Sequence, residues 1–132
     1  MAAHVCYGYA YRFPSKQADP AYAAALETLA ACQQVRWISI EYAQPKHSPE
    51  LLKHCGAKGV ILGVLDLATE NIEEPQAIAQ RAGAALEFVP PQRLNLAPDC
   101  GMWHLPRPVA LAKLHALAQG AEIVRRELNL TG

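Results

Sequence analysis

The sequence has no excess of charge of either sign: twelve lysines and arginines balance twelve aspartates and glutamates. Basic residues form no cluster, which argues against a nucleic-acid partner or a membrane-surface role. No apolar run approaches the ~20 residues that cross a bilayer, and the N-terminus lacks a basic-then-apolar leader pattern. The chain therefore reads as a soluble cytoplasmic protein. There is no low-complexity tract and no linker. Four cysteines are present but no CxxC pair, so the pattern matches neither a zinc ribbon nor a zinc finger. In a cytosolic chain of this size, burial or metal binding is a better expectation for them than disulfides. Any metal site must be assembled from distant segments.

What is present is a core's worth of apolar residues, 52% of the 132. Residues 1–132 read as one α/β domain. Short β-like runs alternate with longer helical ones. The first β run spans Ala3 to Ala10. Asp19 and Pro20 are placed as N-cap and first helical residue of an Ala-rich helix from Ala21 to about Gln33, with Tyr22, Leu26 and Leu29 on one face. The second β run is Arg36 to Glu41. Ser48 is placed to cap a short helix from Pro49 to His54, which stops at Gly56. The third β run, Gly59 to Asp66, is nearly all apolar, as a strand buried on both faces should be. A helix from Glu73 to Phe88 ends at Pro90-Pro91. The fourth β run is Arg93 to Ala97. A last helix from about Val109 to Leu128 has a broad apolar face of Leu111, Leu114, Leu117, Ala118, Ala121, Ile123 and Val124.

Four consecutive β-then-α units imply a parallel sheet with helical crossovers. A closed (β/α)8 TIM barrel needs about 250 residues and twice as many units. The first architectural reading is therefore half such a barrel. The second is an open flavodoxin-like sheet, although the glycine loop that binds phosphate in such sheets is missing.

Function in a parallel α/β array sits at the C-terminal strand ends. Strand one ends in His4, Cys6 and Tyr7, strand two in Glu41, and strand three in Asp66. Strand four leads into Asp99, Cys100 and Gly101. His4 and Cys6 are two apart, so a strand points both to one face. Imidazole, thiolate and carboxylate are all donors that zinc accepts in tetrahedral geometry, and His4, Cys6, Glu41 and Cys100 supply them. The carboxylate is the least soft of the four, so Glu41 is the donor that yields first to an incoming thiol. Metal coordination deprotonates such a thiol outright.

The stretches HVCYG, ISIEYAQP, LGVLDLATENIEEPQAI and FVPPQRLNLAPDCGM resemble the cobalamin-independent methionine synthase family. The resemblance is to its C-terminal catalytic barrel and to shorter single-barrel relatives, and it runs from about residue 3 to residue 128. The order H-x-C, S-[IV]-E, P-D-C-G is specific to that family. The resemblance implies that His4, Cys6, Glu41 and Cys100 bind Zn2+, and that these motifs lie on the last four strands of a (β/α)8 barrel. It also implies that the metal activates homocysteine, or a similar thiol, to accept a methyl group and give methionine.

Two departures bear on this expectation. The full-length synthases carry a histidine in a D-x-H-S pattern, which protonates the departing folate amine. Here the run is Asp66-Leu67-Ala68-Thr69, with Ala68 in the histidine's place. Methylfolate is a poor donor without a general acid, so a methylated corrinoid becomes the alternative methyl donor. The second departure is length: half a barrel has unpaired strand edges. The chain is then a fragment, the partner of a separate N-terminal half barrel, or one member of a homodimer.

Simpler readings stand beside these. Cys32 and Cys55 read as buried small residues. His47, His54 and His115 read as solvent-facing, and His104, four residues after Cys100, is set aside as a ligand because the four-donor set is already complete. Asp66 is expected either to orient a substrate amine or to cap the following loop. Asp99 is expected either to support the metal ligands or to form a turn with Gly101. Tyr7, Tyr9 and Tyr11 read as packing residues, and Trp103, in the loop beside Cys100, as a candidate pocket wall. A non-catalytic zinc-binding module is the rival to a thiol methyltransferase.

Overall fold

Four short apolar runs pair into one parallel sheet. The computed structural model describes residues 1–8 and 19–129. The strands are β1 (Ala2–Val5), β2 (Trp37–Ile40), β3 (Gly59–Leu65) and β4 (Leu94–Pro98). The helices are α1 (Pro20–Ala31), α2 (Pro75–Leu86) and α3 (Arg107–Glu127), with short 3-10 helices at Pro49–Cys55 and Pro91–Arg93. The strand order is β1-β2-β3-β4, every neighbouring pair parallel. Each strand thus lies beside the next in sequence, without the reversal that a flavodoxin-like sheet requires.

Register explains the two faces. Ala3, Ile38, Val60 and Leu94 lie in one cross-strand row, and Val5, Ile40, Leu62 and Leu96 in another. Both rows belong to the main core, with Tyr22 and Leu26 of α1, Leu52, Ile78 of α2 and Ala116 of α3. The intervening row is His4, Ser39, Ile61 and Asn95. The described elements leave His4 and Asn95 on this face exposed, and Ser39 and Ile61 half-buried.

The sequence expectations hold for element type and order but shift at the ends. β1 stops at Val5, and Cys6 and Tyr7 follow it rather than lying in it. The chain turns at Gly8, whose φ of 97° suits glycine. Residues 9–18, with Tyr9, Tyr11 and the end of the expected first strand, lie outside the described residues. Asp19 caps α1 as expected, its Oδ1 accepting from the Ala21 N–H at 2.8 Å. Ser48 does not cap the following 3-10 helix; its hydroxyl goes to the Glu50 carboxylate. Glu73 lies ahead of α2, which starts at Pro75.

The face of α3 is as expected at Val124, which is buried, and at Leu117 and Ile123, which pack on the core, but needs correction elsewhere. Leu111 and Leu114 are exposed, and the buried positions are Lys113, Ala116, Gly120 and Val124. The reason is a close crossing with α2. A Cβ on Gly120 would lie 2.6 Å from Ile78 Cγ2, so a stripe of small residues faces α2 while larger leucines point away.

Candidate metal centre

The C-terminal strand ends gather most of the residues expected to carry chemistry. His4 is on β1, Cys6 just beyond it, and Cys100 two residues after β4. One ligand atom from each of these three lies within 4.8 Å of the others. The two sulfurs are 3.7 Å apart, too far for the ~2.05 Å of a disulfide, and both cysteines are free. His4 Nδ1 is 2.9 Å from the Ser39 hydroxyl across the β1–β2 pair, which fixes the ring's orientation and leaves the other nitrogen for the site.

This convergence suits a curved sheet. β1 and β4 are the outermost strands, three neighbour spacings apart. In a flat sheet that is ~14 Å. The sulfurs that follow these two strands nonetheless stand 3.7 Å apart.

The Cys6 thiol is pushed up to about 11. Partial burial is the largest cause, and the charges of Glu41 and Cys100 add to it. The Gly8 N–H, 3.1 Å from the sulfur, works in the opposite direction.

Glu41 is buried, one residue past β2, and stands outside the three-residue group. Its Oε2 accepts from the Tyr7 N–H at 2.6 Å. Its own N–H donates to the Tyr22 hydroxyl at 3.1 Å, and that hydroxyl donates to the Val5 carbonyl at 2.7 Å. Tyr22 thus ties the end of β1 to the end of β2. Tyr7 stacks on Tyr22 with ring centroids 4.8 Å apart, so its expected packing role is present, with polar contacts added.

His47 differs from expectation. It is buried rather than solvent-facing, because its ring packs 4.7 Å from that of Tyr22 and its Nε2 is 3.1 Å from the Tyr7 hydroxyl. Burial lowers its pKa, and the nearby charge of Glu41 opposes the shift. His115 is exposed, and His54 lies at the surface paired with Glu27 at 2.7 Å. His104 Nε2 donates to the Leu67 carbonyl at 3.0 Å and is not in the metal-ligating group. Cys55 is buried, and burial pushes its thiol up to about 11. Cys32 is only partly buried, at the end of α1. Trp103 is exposed.

Asp99 takes neither of its two expected parts in simple form. Its Oδ1 accepts from the N–H groups of Tyr42 and Ala43, at 3.2 and 3.0 Å, and its Oδ2 from Gln44 at 2.7 Å. The residue preceding Cys100 therefore clamps the loop that follows Glu41. Burial pushes its carboxyl up to about 6 against the three N–H donors. The clamp needs Gly63, because a Cβ there would lie 2.2 Å from Asp99 Oδ1 and 2.7 Å from the Ile40 carbonyl.

Asp66 follows β3 and caps its own loop, Oδ1 accepting from the Ala68 N–H at 2.8 Å. Sequence reasoning missed the residue behind that loop. Lys113 of α3 is fully buried and paired with Glu73 at 2.9 Å. It hides within an amphipathic helix as one more polar position. Its one signal is its spacing from Ala116 and Gly120 on the small-residue face.

With this geometry in view, likeness to known proteins is specific. The model of the cobalamin-independent synthase catalytic domain matches residues 19–123. The chain belongs to the cobalamin-independent methionine synthase family. A methionine synthase of Sulfurisphaera tokodaii is 31% identical over 130 residues, 98% of this chain and 34% of that protein. The 2-hydroxypropyl-CoM lyase of Xanthobacter autotrophicus is 44% identical over 66 residues, 50% of this chain and 18% of the lyase. Among solved structures, a B12-independent methionine synthase from a Shewanella species, in complex with selenomethionine, superposes with a TM-score of 0.86 at 33% identity. That match covers 98% of this chain and 40% of the Shewanella chain. The chain thus spans about a third of the length of the S. tokodaii synthase. Among the described residues, no helix is long and apolar enough to cross a membrane.

Proposed function

We propose that this chain is the C-terminal half of a (β/α)8 barrel and carries the zinc site of a methyltransferase that converts homocysteine to methionine. One observation supports the metal above all. Two Zn–S bonds of about 2.3 Å at the tetrahedral angle put their sulfurs about 3.8 Å apart, and Cys6 and Cys100 stand at 3.7 Å. The donor set of one imidazole and two thiols is also zinc's own. The sequential parallel order and the curvature needed to join β1 to β4 favour the half barrel.

In this reading His4, Cys6 and Cys100 hold the ion, and Glu41 is the exchangeable fourth donor. Zinc, when bound, lowers the pKa of a thiol that it coordinates and keeps the sulfur nucleophilic at neutral pH. The Tyr7 N–H draws the Glu41 carboxylate aside, which leaves room for the substrate sulfur. Asp66, at the neighbouring strand end, orients the substrate's ammonium group. Ala68 offers no proton to a departing amine, so a methylated corrinoid suits this chain better than methylfolate as the methyl donor. The sheet face bearing His4 and Ser39, which the described elements cover only in part, is completed by the other half of the barrel. That half is covalently continuous, a separate chain or a second copy.

X-ray absorption at the zinc edge, with and without homocysteine, tests the proposal. Gain of one sulfur neighbour is expected. An unchanged sulfur count leaves only a structural metal module. A second reading has support from the lyase of X. autotrophicus, whose similarity covers half of this chain. It is transfer to another thiol on the same scaffold, and product analysis with several thiols decides between the two.

A further inference from the structure

A tyrosine hydroxyl is inserted where the β1–β2 ladder ends. The last paired residues are Val5 and Ile40, and the next ladder bond of a parallel pair runs from the Glu41 N–H to the Val5 carbonyl. That bond is stretched to 3.4 Å. The Tyr22 hydroxyl of α1 bridges the same two groups, accepting from the Glu41 N–H at 3.1 Å and donating to the Val5 carbonyl at 2.7 Å. It acts as a spacer between two strand ends, one leading to Cys6 and the other to Glu41.

Glu41 is held from three sides. Tyr22 takes its N–H, and Asp99 takes the N–H groups of the three residues that follow. The Tyr7 N–H takes its Oε2 at 2.6 Å, short as bonds to an ionised carboxylate are. Tyr7 is fixed in turn by its ring, which lies within 6° of parallel to that of Tyr22. The Tyr7 hydroxyl accepts from the Asp19 N–H at 3.1 Å and meets His47 Nε2 at 3.1 Å.

A side chain that serves only as a metal ligand is aimed by the ion. Here protein groups aim both the backbone and the carboxylate, and Glu41 stands apart from the donor atoms gathered at His4, Cys6 and Cys100. The hold also satisfies a carboxylate that would be costly to bury without partners. Without such a hold, an anion this near Cys6 would close on a cation bound by the thiols and fill the position that a substrate sulfur needs. Tyr22 stands behind two of the restraints. Its hydroxyl fixes the Glu41 backbone, and its ring fixes Tyr7.

We propose that Tyr22 is a positioning residue, which keeps Glu41 from closing the metal site and so leaves one coordination position open to a thiol. This inference rests on the zinc–thiol reading above and names the residue that makes its fourth position exchangeable. The test uses the full chain loaded with cobalt(II), whose sulfur-to-metal absorption reports thiol binding without turnover. Tyr22→Phe keeps the ring stack and removes the spacer, so the ladder bond shortens and draws Glu41 toward Cys6 and the ion. Cobalt(II) affinity should then rise about tenfold and homocysteine affinity fall about tenfold, the scale on which supporting residues act at metal sites. Adding Glu41→Gln to Tyr22→Phe removes the competing carboxylate and should restore homocysteine binding. If Tyr22→Phe does not fold, Tyr7→Phe is measured instead, and both affinities should move in the same directions. Metal and thiol affinities that fall together, or that stay unchanged, overturn the inference while leaving the thiol site standing. So does a loss of thiol binding that Glu41→Gln fails to restore. No absorption change with homocysteine in the unaltered protein overturns both readings together.

Discussion

The sulfurs of Cys6 and Cys100 stand 3.7 Å apart although 94 residues separate them in the chain. Proximity of two free thiols at that distance suits a shared ion, and it also leaves them close enough to oxidise when no ion is there. Metal-free protein treated with a mild oxidant should lose two of its four titratable thiols. Peptide mapping should place the new disulfide between Cys6 and Cys100. Zinc-loaded protein should keep all four. An unprotected pair in the loaded protein would remove these two residues from the ligand set.

Cys100→Ser should reduce zinc affinity by more than the ~10–100-fold that loss of a supporting outer residue costs. Competition with a chromophoric chelator measures this. Glu41→Gln should have a smaller effect, because Glu41 already spends its carboxylate on the Tyr7 N–H. Equal losses for the two variants would make Glu41 a full ligand.

Gly63→Ala should destabilise the fold by about 3 kcal/mol, the upper range for overpacking. The added methyl meets Asp99 Oδ1 at 2.2 Å and the Ile40 carbonyl at 2.7 Å, and neither is a flexible chain end. Urea unfolding gives the number. A cost under ~0.5 kcal/mol, the range of ordinary surface changes, would show that the Asp99 clamp can move.

Asp99→Asn keeps the shape but replaces one acceptor oxygen with an N–H donor. The backbone N–H groups of Tyr42, Ala43 and Gln44 then cannot all be satisfied. A loss of about 2 kcal/mol is expected, the cost of a buried group left without its partner. Amide exchange at residues 42–44 should rise with it, and unchanged protection there would refute the clamp.

His47 supplies a pH dependence. Its folded pKa lies below the ordinary value of 6.5, because burial disfavours the imidazolium. Above 6.5 both states hold it neutral. As pH falls below 6.5 the unfolded chain takes up the proton first, so its contribution to stability is lost downward from there. The rings it packs against, Tyr7 and Tyr22, have pKa values raised by burial and stay neutral throughout. Melting temperatures of the unaltered protein and His47→Phe, compared between pH 7.5 and 5, should converge as pH falls. A gap that is constant or widens would show that this ring titrates freely.

Element order was readable because each strand ends at an obvious turn signal and each helix has its proline near the start. Tyr22 and Leu26 declared their shared face by spacing. The face of α3 did not, because hydrophobicity counts leucines whereas the packed surface is set by how closely two backbones approach at Gly120. His4 and Cys6 could be paired from strand period alone, and motif likeness added Glu41 and Cys100. Lys113, His47 and the three-amide grip of Asp99 were hidden for a common reason. Each is a polar side chain whose partner groups are mostly backbone atoms or rings far away in sequence, and no local pattern encodes those.

One consequence of the curved sheet is thermodynamic. An ion held by Cys6 and Cys100 bridges the first strand to the last, so its binding free energy and the free energy of bending the sheet are linked. Linkage is reciprocal. Whatever favours the bent form, a second half barrel included, must tighten ion binding by the factor by which the ion tightens that association. Measured separately, the two enhancements have to agree.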